Sequence, residues 1–256
     1  MDGLLLNTED LYTLCINVIL EQHGKGPLPW SIKAKLQGRP GPEANKLFND
    51  WAQLPISNED YLAELSALQR QNFPTAKALP GVPQLLSDLD STNGKLHIAL
   101  ATSSHRGNFQ LKTDHLTDLF SVFPENRRVL GDDPRLKPGR GKPLPDIFLL
   151  ALQTVNESLP AGETPIKPEE CLVFEDSVPG VEAGRRAGMR VIWCPHPMLK
   201  KEYIGREEEV LAGRTGEAGN VDIHQLGELG DGWAEYLETL ENFPYAKYGI
   251  EIPARA

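Results

Sequence analysis

The amino-acid sequence predicts an α/β fold in which a block of helices precedes a parallel sheet. Helical periodicity, with no strand signal, continues from the first residues to about residue 95. Beyond Pro80-Gly81, short apolar runs alternate with helical patterns, and this alternation is typical of parallel sheets. The 256 residues are enough for one large domain, or for one domain with a smaller insertion.

Composition excludes several classes of protein. The chain has 26 basic and 36 acidic side chains and a net charge of −10, which argues against a protein that coats nucleic acid. No apolar run approaches the roughly 20 residues that span a bilayer, and the acidic residues near the start argue against a secretory leader. Cys15, Cys171 and Cys194 lack metal-ligand spacing and indicate a reducing compartment. We therefore expect a cytoplasmic monomer without nucleic-acid or membrane partners.

The first helix is predicted to follow Asn7 and Thr8, which can cap it, and to end at Gly24. Its apolar residues recur at helical spacing and form one stripe: Leu11, Leu14, Cys15, Val18 and Ile19. Three further helices are expected over about 31–37, 43–52 and 57–72. The first third of the chain is thus predicted to be all helical.

The second part of the chain predicts strands and helices in alternation. A helix is expected over 82–90, and strands over 96–101, 171–174 and 191–193, with a helix between the last two. A further short strand is possible at Val122-Phe123.

Other segments of this part are predicted to be loops, surface or helix. Residues 134–145, rich in Pro and Gly, predict a loop, and residues 205–232 a mobile surface segment. A final amphipathic helix would carry on one face Trp233, Tyr236, Leu237 and Leu240.

Polar residues follow the predicted strands, where ligands of parallel sheets bind. Thr102-Ser103-Ser104 follow one strand, Glu175-Asp176 follow another, Lys142 lies in a Gly/Pro loop and Asp2-Gly3 open the chain. Hydroxyls and helix-start amides bind phosphate, a lysine neutralises it, and adjacent carboxylates suit Mg²⁺. The residues alone therefore predict a magnesium-dependent phosphoryl site. Each also has a structural interpretation, such as a helix cap at Thr102. His196 is expected to be structural.

Taken in order, these motifs resemble the haloacid dehalogenase superfamily, in the branch with a helical cap inserted after the first motif. The resemblance extends from Met1 to about Pro195 and rests on Asp2-Gly3, Thr102-Ser103-Ser104, Lys142-Pro143 and Glu175-Asp176-Ser177. It implies a Rossmann-like α/β core, residues 1–10 and 80–256, and a helical cap, residues 11–79. It also implies hydrolysis of a small phosphate monoester, a sugar phosphate or a nucleotide-like monophosphate such as pseudouridine 5′-phosphate.

The resemblance implies three catalytic residues. Asp2 would protonate the leaving oxygen and then activate water, with its backbone carbonyl facing the metal. Thr102 would bind the phosphoryl group through its hydroxyl. Lys142 would stabilise the phosphoryl charge and the nucleophile.

The same resemblance implies the substrate and metal contacts. Substrate binding would involve Gly3, the amides of Ser103 and Ser104, and Arg39 from the cap. Mg²⁺ would be held at Asp2, Glu175 and Asp176, with Glu175 as a ligand or as a neighbour that supports one.

The sequence departs from the family pattern at its start. The family has Asp-x-Asp-Gly after an apolar strand, so the nucleophilic aspartate would be the residue before Met1, and the first strand would precede it. Either translation begins upstream and Met1 is internal, or the protein is a catalytically dead relative that binds a phosphorylated ligand. We favour the first, because the other catalytic positions are filled. A phosphosugar mutase is a further alternative, which would need a second phosphate clamp, with Arg39, Lys33 and Lys35 as weak support.

Overall fold

In this computed structural model, which describes residues 1–92, 94–216 and 227–253, the first third of the chain is helical, and short parallel strands alternate with helices in the remainder. The helices are α1 Thr8–Gln22, α2 Trp30–Leu36, α3 Gly41–Ala52, α4 Asn58–Asn72, α5 Val82–Asp90, α6 Arg106–Thr113, α7 Thr117–Phe120, α8 Asp146–Glu157, α9 Val178–Arg186, α10 Pro197–Glu202 and α11 Glu207–Ala212. The strands are β1 Leu100–Ala101, β2 Arg128–Val129, β3 Leu172–Glu175, β4 Arg190–Trp193 and β5 Ala234–Tyr236. No helix of the described ranges is long and apolar enough to cross a membrane.

Helices α1 to α4 pack around an apolar cluster of their own. Cys15 and Ile19 of α1 are fully buried against Phe48 of α3 and Tyr61 of α4, whose rings stack at 4.7 Å. Ser57 caps α4 by accepting a hydrogen bond from the backbone N–H of Asp60. The predicted helical block is confirmed, and the division into core and cap remains a proposal.

The strands form two parallel sheets, one of β1 and β2 and one in the order β3-β4-β5. Between β1 and β3 lies an apolar slot of about 630 Å³. Residues 95–101 and 171–174 contribute to its lining, together with Met1 and residues of α5, of α8 and of the C-terminal part of the chain. The facing edges of β1 and β3 are not paired with each other. The α/β architecture with parallel strands agrees with the predicted Rossmann-like core.

Two of the predicted strands differ from those observed. The strand expected over 96–101 is limited to Leu100–Ala101, because β1 pairs only with the two residues of β2. The strand considered at Val122-Phe123 is wrong. Phe123 is buried in a turn against Phe120, and the strand follows it at Arg128–Val129.

The prediction for the C-terminal region is also partly wrong. The residues expected as a final helix include strand β5, because Ala234 to Tyr236 pair with Val191 to Trp193 of β4. That pairing outweighs the helical spacing of the apolar residues. In the expected mobile segment, 207–212 form helix α11, with Val210 and Ala212 buried. Residues 217–226 of that segment lie outside the described residues.

Candidate functional site

The loop that follows β1 places the predicted phosphate-binding residues. Thr102 is buried, and its backbone N–H donates to the carbonyl of Val129 in β2 at 3.0 Å. The Ser104 N–H donates to Thr102 Oγ1 at 3.2 Å, and the Gly131 N–H donates to the Ser104 carbonyl at 3.0 Å. A Cβ at Gly131 would overlap the carbonyl of Ser103. This close approach fixes the loop against the chain after β2.

Asp2 is held by two donors. Its Oδ1 accepts from Thr8 Oγ1 at 2.6 Å and lies 2.7 Å from Lys112 Nζ. Burial alone would raise the pKa of Asp2, but the positive charge and hydrogen bond of Lys112, with the Thr8 hydrogen bond, leave it below its usual value. Asp2 is therefore an ionised carboxylate near neutral pH.

Lys112 is a site residue that the sequence reasoning missed. Its side chain is fully buried and also donates to Tyr12 Oη at 2.8 Å and Ser104 Oγ at 3.1 Å. The ammonium lies over the rings of Tyr12 and Phe73, at 4.6 and 4.7 Å from their centroids. One signal was available, because Lys112 shares the buried face of α6 with Phe109, three residues earlier.

Glu175, at the end of β3, is paired with the predicted lysine. Lys142 Nζ contacts Glu175 Oε1, and both side chains are about 95% buried. Ser177 Oγ donates to Glu175 Oε2 at 3.1 Å, and a Cβ at Gly180 would overlap the Glu175 carboxylate. Although burial acts to raise it, the pKa of Glu175 is lowered by Lys142 and by these hydrogen bonds. The Gly/Pro loop thus delivers its lysine to the carboxyl end of β3, as expected.

Asp176 has a different environment from its neighbour. Its Oδ2 accepts at 2.5 Å from the Nε2 of Gln37, the residue that follows α2, and its backbone carbonyl accepts from Trp193 Nε1 at 3.2 Å. Burial raises the pKa of Asp176 to about 8, with further contributions from the negative charges of Glu175 and Glu9. Gly3 has a φ of +67°, and a Cβ there would overlap Asp176 Oδ2. Asp176 therefore lies directly against the Asp2-Gly3 backbone.

Contacts thus connect most of the predicted residues. They run from Thr102 through Ser104 and Lys112 to Asp2, and from Gly3 through Asp176 and the adjacent Glu175 to Lys142. Arg39 differs, because its Nε donates to the Lys35 carbonyl within the cap at 2.7 Å. A role of Arg39 in substrate binding remains a prediction.

A third buried lysine lies in helix α2. Lys33 Nζ lies 3.0 Å from Glu9 Oε2 and donates to the Glu9 carbonyl at 2.6 Å and to Thr13 Oγ1 at 2.5 Å. Three oxygens thus bind this ammonium, and they would have to be displaced before it could clamp a second phosphate. This geometry argues against Lys33 as part of the second phosphate clamp that a mutase would need.

His196 makes structural contacts, as expected. Its ring stacks on Trp30 of α2 at 4.6 Å, and its Nδ1 accepts from the Met198 N–H at the start of α10 at 3.1 Å. These contacts join the cap helix to the chain after β4.

A divalent cation could be held at Asp176. This buried carboxylate has an elevated pKa, and the neighbouring Gln37 Oε1 is buried without a hydrogen-bond partner among the described residues. Those same residues contain no group of three or more His, Cys, Asp or Glu side chains that could hold a metal ion. The buried carboxylate and the amide oxygen beside it fit a cation that uses one or two carboxylates and completes its shell with water and substrate phosphate, as Mg²⁺ does.

Comparisons with known proteins agree on one family. The model of the haloacid dehalogenase-like hydrolases matches residues 1–188. The chain is 44% identical to a probable pseudouridine-5′-phosphatase of Saccharomyces cerevisiae, over 98% of this chain and 94% of that protein. It is 38% identical to (DL)-glycerol-3-phosphatase 2 of Arabidopsis thaliana, over 82% and 83%. A solved hydrolase of this family from Deinococcus radiodurans, with bound phosphate and sodium, is 25% identical with a TM-score of 0.58, over 77% and 79%.

Proposed function

The chain belongs to the haloacid dehalogenase-like hydrolase family, and from this premise and the geometry of the site we propose that it is a Mg²⁺-dependent phosphatase of small phosphate monoesters. The observation that carries the proposal is the buried series of contacts that joins Thr102, Lys112, Asp2, Asp176 and Lys142. Relatives named pseudouridine-5′-phosphatase and glycerol-3-phosphatase support a phosphorylated sugar, polyol or nucleoside as the substrate class.

In this proposal, Thr102 and the loop amides bind the phosphoryl group. The Thr102 hydroxyl and the amides of Ser103 and Ser104 follow a strand end, where donors converge on an anion. Lys142 supplies a buried positive charge that Glu175 orients. Mg²⁺ would be held by Asp176 with the Asp2 backbone carbonyl beside it, and when bound it would neutralise charge on the transferred phosphoryl group.

Asp2 acts as the general acid and then as the base. Lys112 and Thr8 hold its Oδ1, so the carboxylate is oriented before substrate arrives. Because it is ionised, it would first take up a proton from solvent and give that proton to the leaving oxygen, and it would later take a proton from the attacking water. Glu175 is less suited to this task, because both of its carboxylate oxygens are bound, Oε1 by Lys142 and Oε2 by Ser177, whereas the two contacts of Asp2 fall on Oδ1.

The attacking carboxylate is proposed to be an aspartate directly before Met1 in the natural product. The supporting features are the apolar slot between β1 and β3, whose lining includes Met1, and the lack of pairing between these two strands in the described part of the chain. Attack by this aspartate would form an aspartyl-phosphate, which water then hydrolyses. Mass spectrometry of the natively expressed protein, with sequencing of its N-terminal peptide, tests this step.

Phosphate release from a panel of monophosphates tests the activity. We expect release with Mg²⁺ and at least a hundredfold decrease in kcat/KM for Lys142→Met, since a buried charge on the transferring group is lost. Lys137→Met is the matched control, because Lys137 is an exposed lysine of the same loop, and it should retain full activity. A native product that begins at Met1 would refute the aspartyl-phosphate. Binding of phosphate without turnover would then indicate a phospho-ligand binder, and isomerisation without free phosphate would indicate a mutase.

A further inference from the structure

The loop after helix α2, residues 37–40, docks on the core at the loop that follows β3. Gln37 is 5% exposed, and its Nε2 donates to Asp176 Oδ2, which is 139 residues away in the sequence. A cap side chain therefore contacts the carboxylate that is the proposed cation ligand, in a position shielded from water.

Two glycines permit this close approach, one on each side. Gly38 has a φ of +79°, and a Cβ there would overlap the Ser177 side chain. Gly141, next to Lys142, has no room for a Cβ because Pro40 lies against it. A methyl group on either glycine would thus hold the cap away from the core.

The amide of Gln37 is only half satisfied. Its Nε2 is bound to Asp176, whereas its Oε1 is buried and has no hydrogen-bond partner among the described residues. A buried acceptor without a donor is unfavourable. A donor that arrives with the cation, such as one of its water ligands, would satisfy it. The amide therefore suits a state in which Asp176 holds a hydrated cation.

We propose that Gln37 is a positioning residue that couples closure of the cap to binding of a divalent cation at Asp176. The inference rests on the proposed function, which places the cation there. By fixing Oδ2, Gln37 selects the orientation in which the rest of the carboxylate faces the cation. Because coupling is reciprocal, bound cation must favour the docked position of residues 37–40 by the same factor.

The test is a Mg²⁺ titration by calorimetry of the protein and its Gln37→Leu variant. Removing a residue that orients a metal ligand weakens metal binding by about 10- to 100-fold, and we expect a loss in that range. Gln71→Leu is the matched control, because it makes the same change at an exposed position of α4, and it should bind Mg²⁺ like the unmodified protein. Gly38→Ala keeps the amide but holds the loop away, so it should weaken binding as well.

Hydrogen exchange supplies a readout that does not depend on activity. Mg²⁺ should slow amide exchange in residues 37–40 of the unmodified protein and have no such effect in Gln37→Leu. Should Gln37→Leu and Gly38→Ala, shown to be folded by their melting curves, bind Mg²⁺ within twofold of the unmodified protein, the inference fails and the proposed function stands. If the unmodified protein binds no Mg²⁺ at millimolar concentration, the cation site of the proposed function fails and the inference fails with it.

Discussion

Replacement of Lys112 by Met would test how the site keeps Asp2 ionised. Methionine fills a similar volume but removes the ammonium that lies 2.7 Å from Asp2 Oδ1 and over the rings of Tyr12 and Phe73. Asp2 would then be left with Thr8 as its remaining side-chain donor among the contacts described above.

The expected loss in the free energy of unfolding at pH 7 is about 2–4 kcal/mol. Breaking a fully buried ion pair by removing one partner costs about 3–5 kcal/mol. We take a somewhat smaller value, because the Asp2 side chain is 16% exposed and retains partial hydration. Lys46→Met is the control. Its pair with Asp50 is 80% and 66% exposed, so it should change stability by less than about 0.5 kcal/mol.

The loss should also depend on pH, with a sign that follows from Asp2. In the unmodified protein the pKa of Asp2 is lower in the folded state than its unfolded-state value of 3.8. Asp2 therefore contributes its full stabilisation at pH values above 3.8, and this stabilisation is lost as the pH falls through the folded-state pKa. In Lys112→Met, burial without a charged partner would raise that pKa, and protonation would restore stability as the pH falls. The difference between the two proteins should therefore shrink from pH 7 to pH 5. Urea unfolding of the two proteins at pH 7 and pH 5 measures this difference in stability. A difference below 1 kcal/mol at pH 7, or the same difference at both pH values, would contradict the prediction.

Three further predictions concern the other site residues. Gly3→Ala should destabilise the protein by at least about 1 kcal/mol more than Gly24→Ala in urea unfolding. Both glycines have positive φ, at +67° and +68°, but only the Gly3 methyl would overlap Asp176. The apparent Mg²⁺ affinity should rise about tenfold per pH unit up to pH 8 and then level off, because below its pKa of about 8 a proton competes with the cation for Asp176. A constant affinity in calorimetry from pH 6 to pH 9 would contradict this. Thr102→Val should raise KM for phosphate monoesters at least tenfold in steady-state assays and lower the melting temperature by a few degrees, because the buried Ser104 N–H loses its acceptor. An unchanged KM would exclude the Thr102 hydroxyl from phosphate binding.

Local signals predicted helices α1 to α5 and α9 and strands β3 and β4, whereas helices α6, α7, α8, α10 and α11 were not predicted. Apolar spacing and a breaker define α1, although Asn7 makes no side-chain cap hydrogen bond there, a cap at Ser57 defines the start of α4, and continuous apolar runs mark β3 and β4. The segment around Tyr236 could not be predicted in this way. Its residues have helical spacing, but the edge of β4 that faces away from β3 supplies hydrogen bonds that only the assembled sheet can offer.

The location of the candidate site could be predicted from its motifs, but the interactions between its residues could not. Thr102, Lys142 and Asp176 were identified because they follow strand ends or stand in distinctive loops. Lys112 and Gln37 were missed, because each contacts its partner across about a hundred residues or more and neither stands in a recognisable motif. Contacts of such long range depend on how cap and core pack, and a single sequence does not encode them in any local pattern.

The structure also distinguishes Glu175 from the adjacent Asp176, both of which the sequence offers as possible ligands for the metal. Asp2 and Glu175 each face a buried lysine, and the pKa of each is lowered. Asp176 instead accepts a hydrogen bond from the side-chain amide of Gln37, and the pKa of Asp176 is raised. A buried carboxylate without a basic side chain gains most from an incoming cation, since the cation removes an electrostatic cost that lysines have already removed elsewhere. Asp176 is therefore favoured over Glu175 as the direct ligand, and Glu175 would hold Lys142 in place for the phosphoryl group.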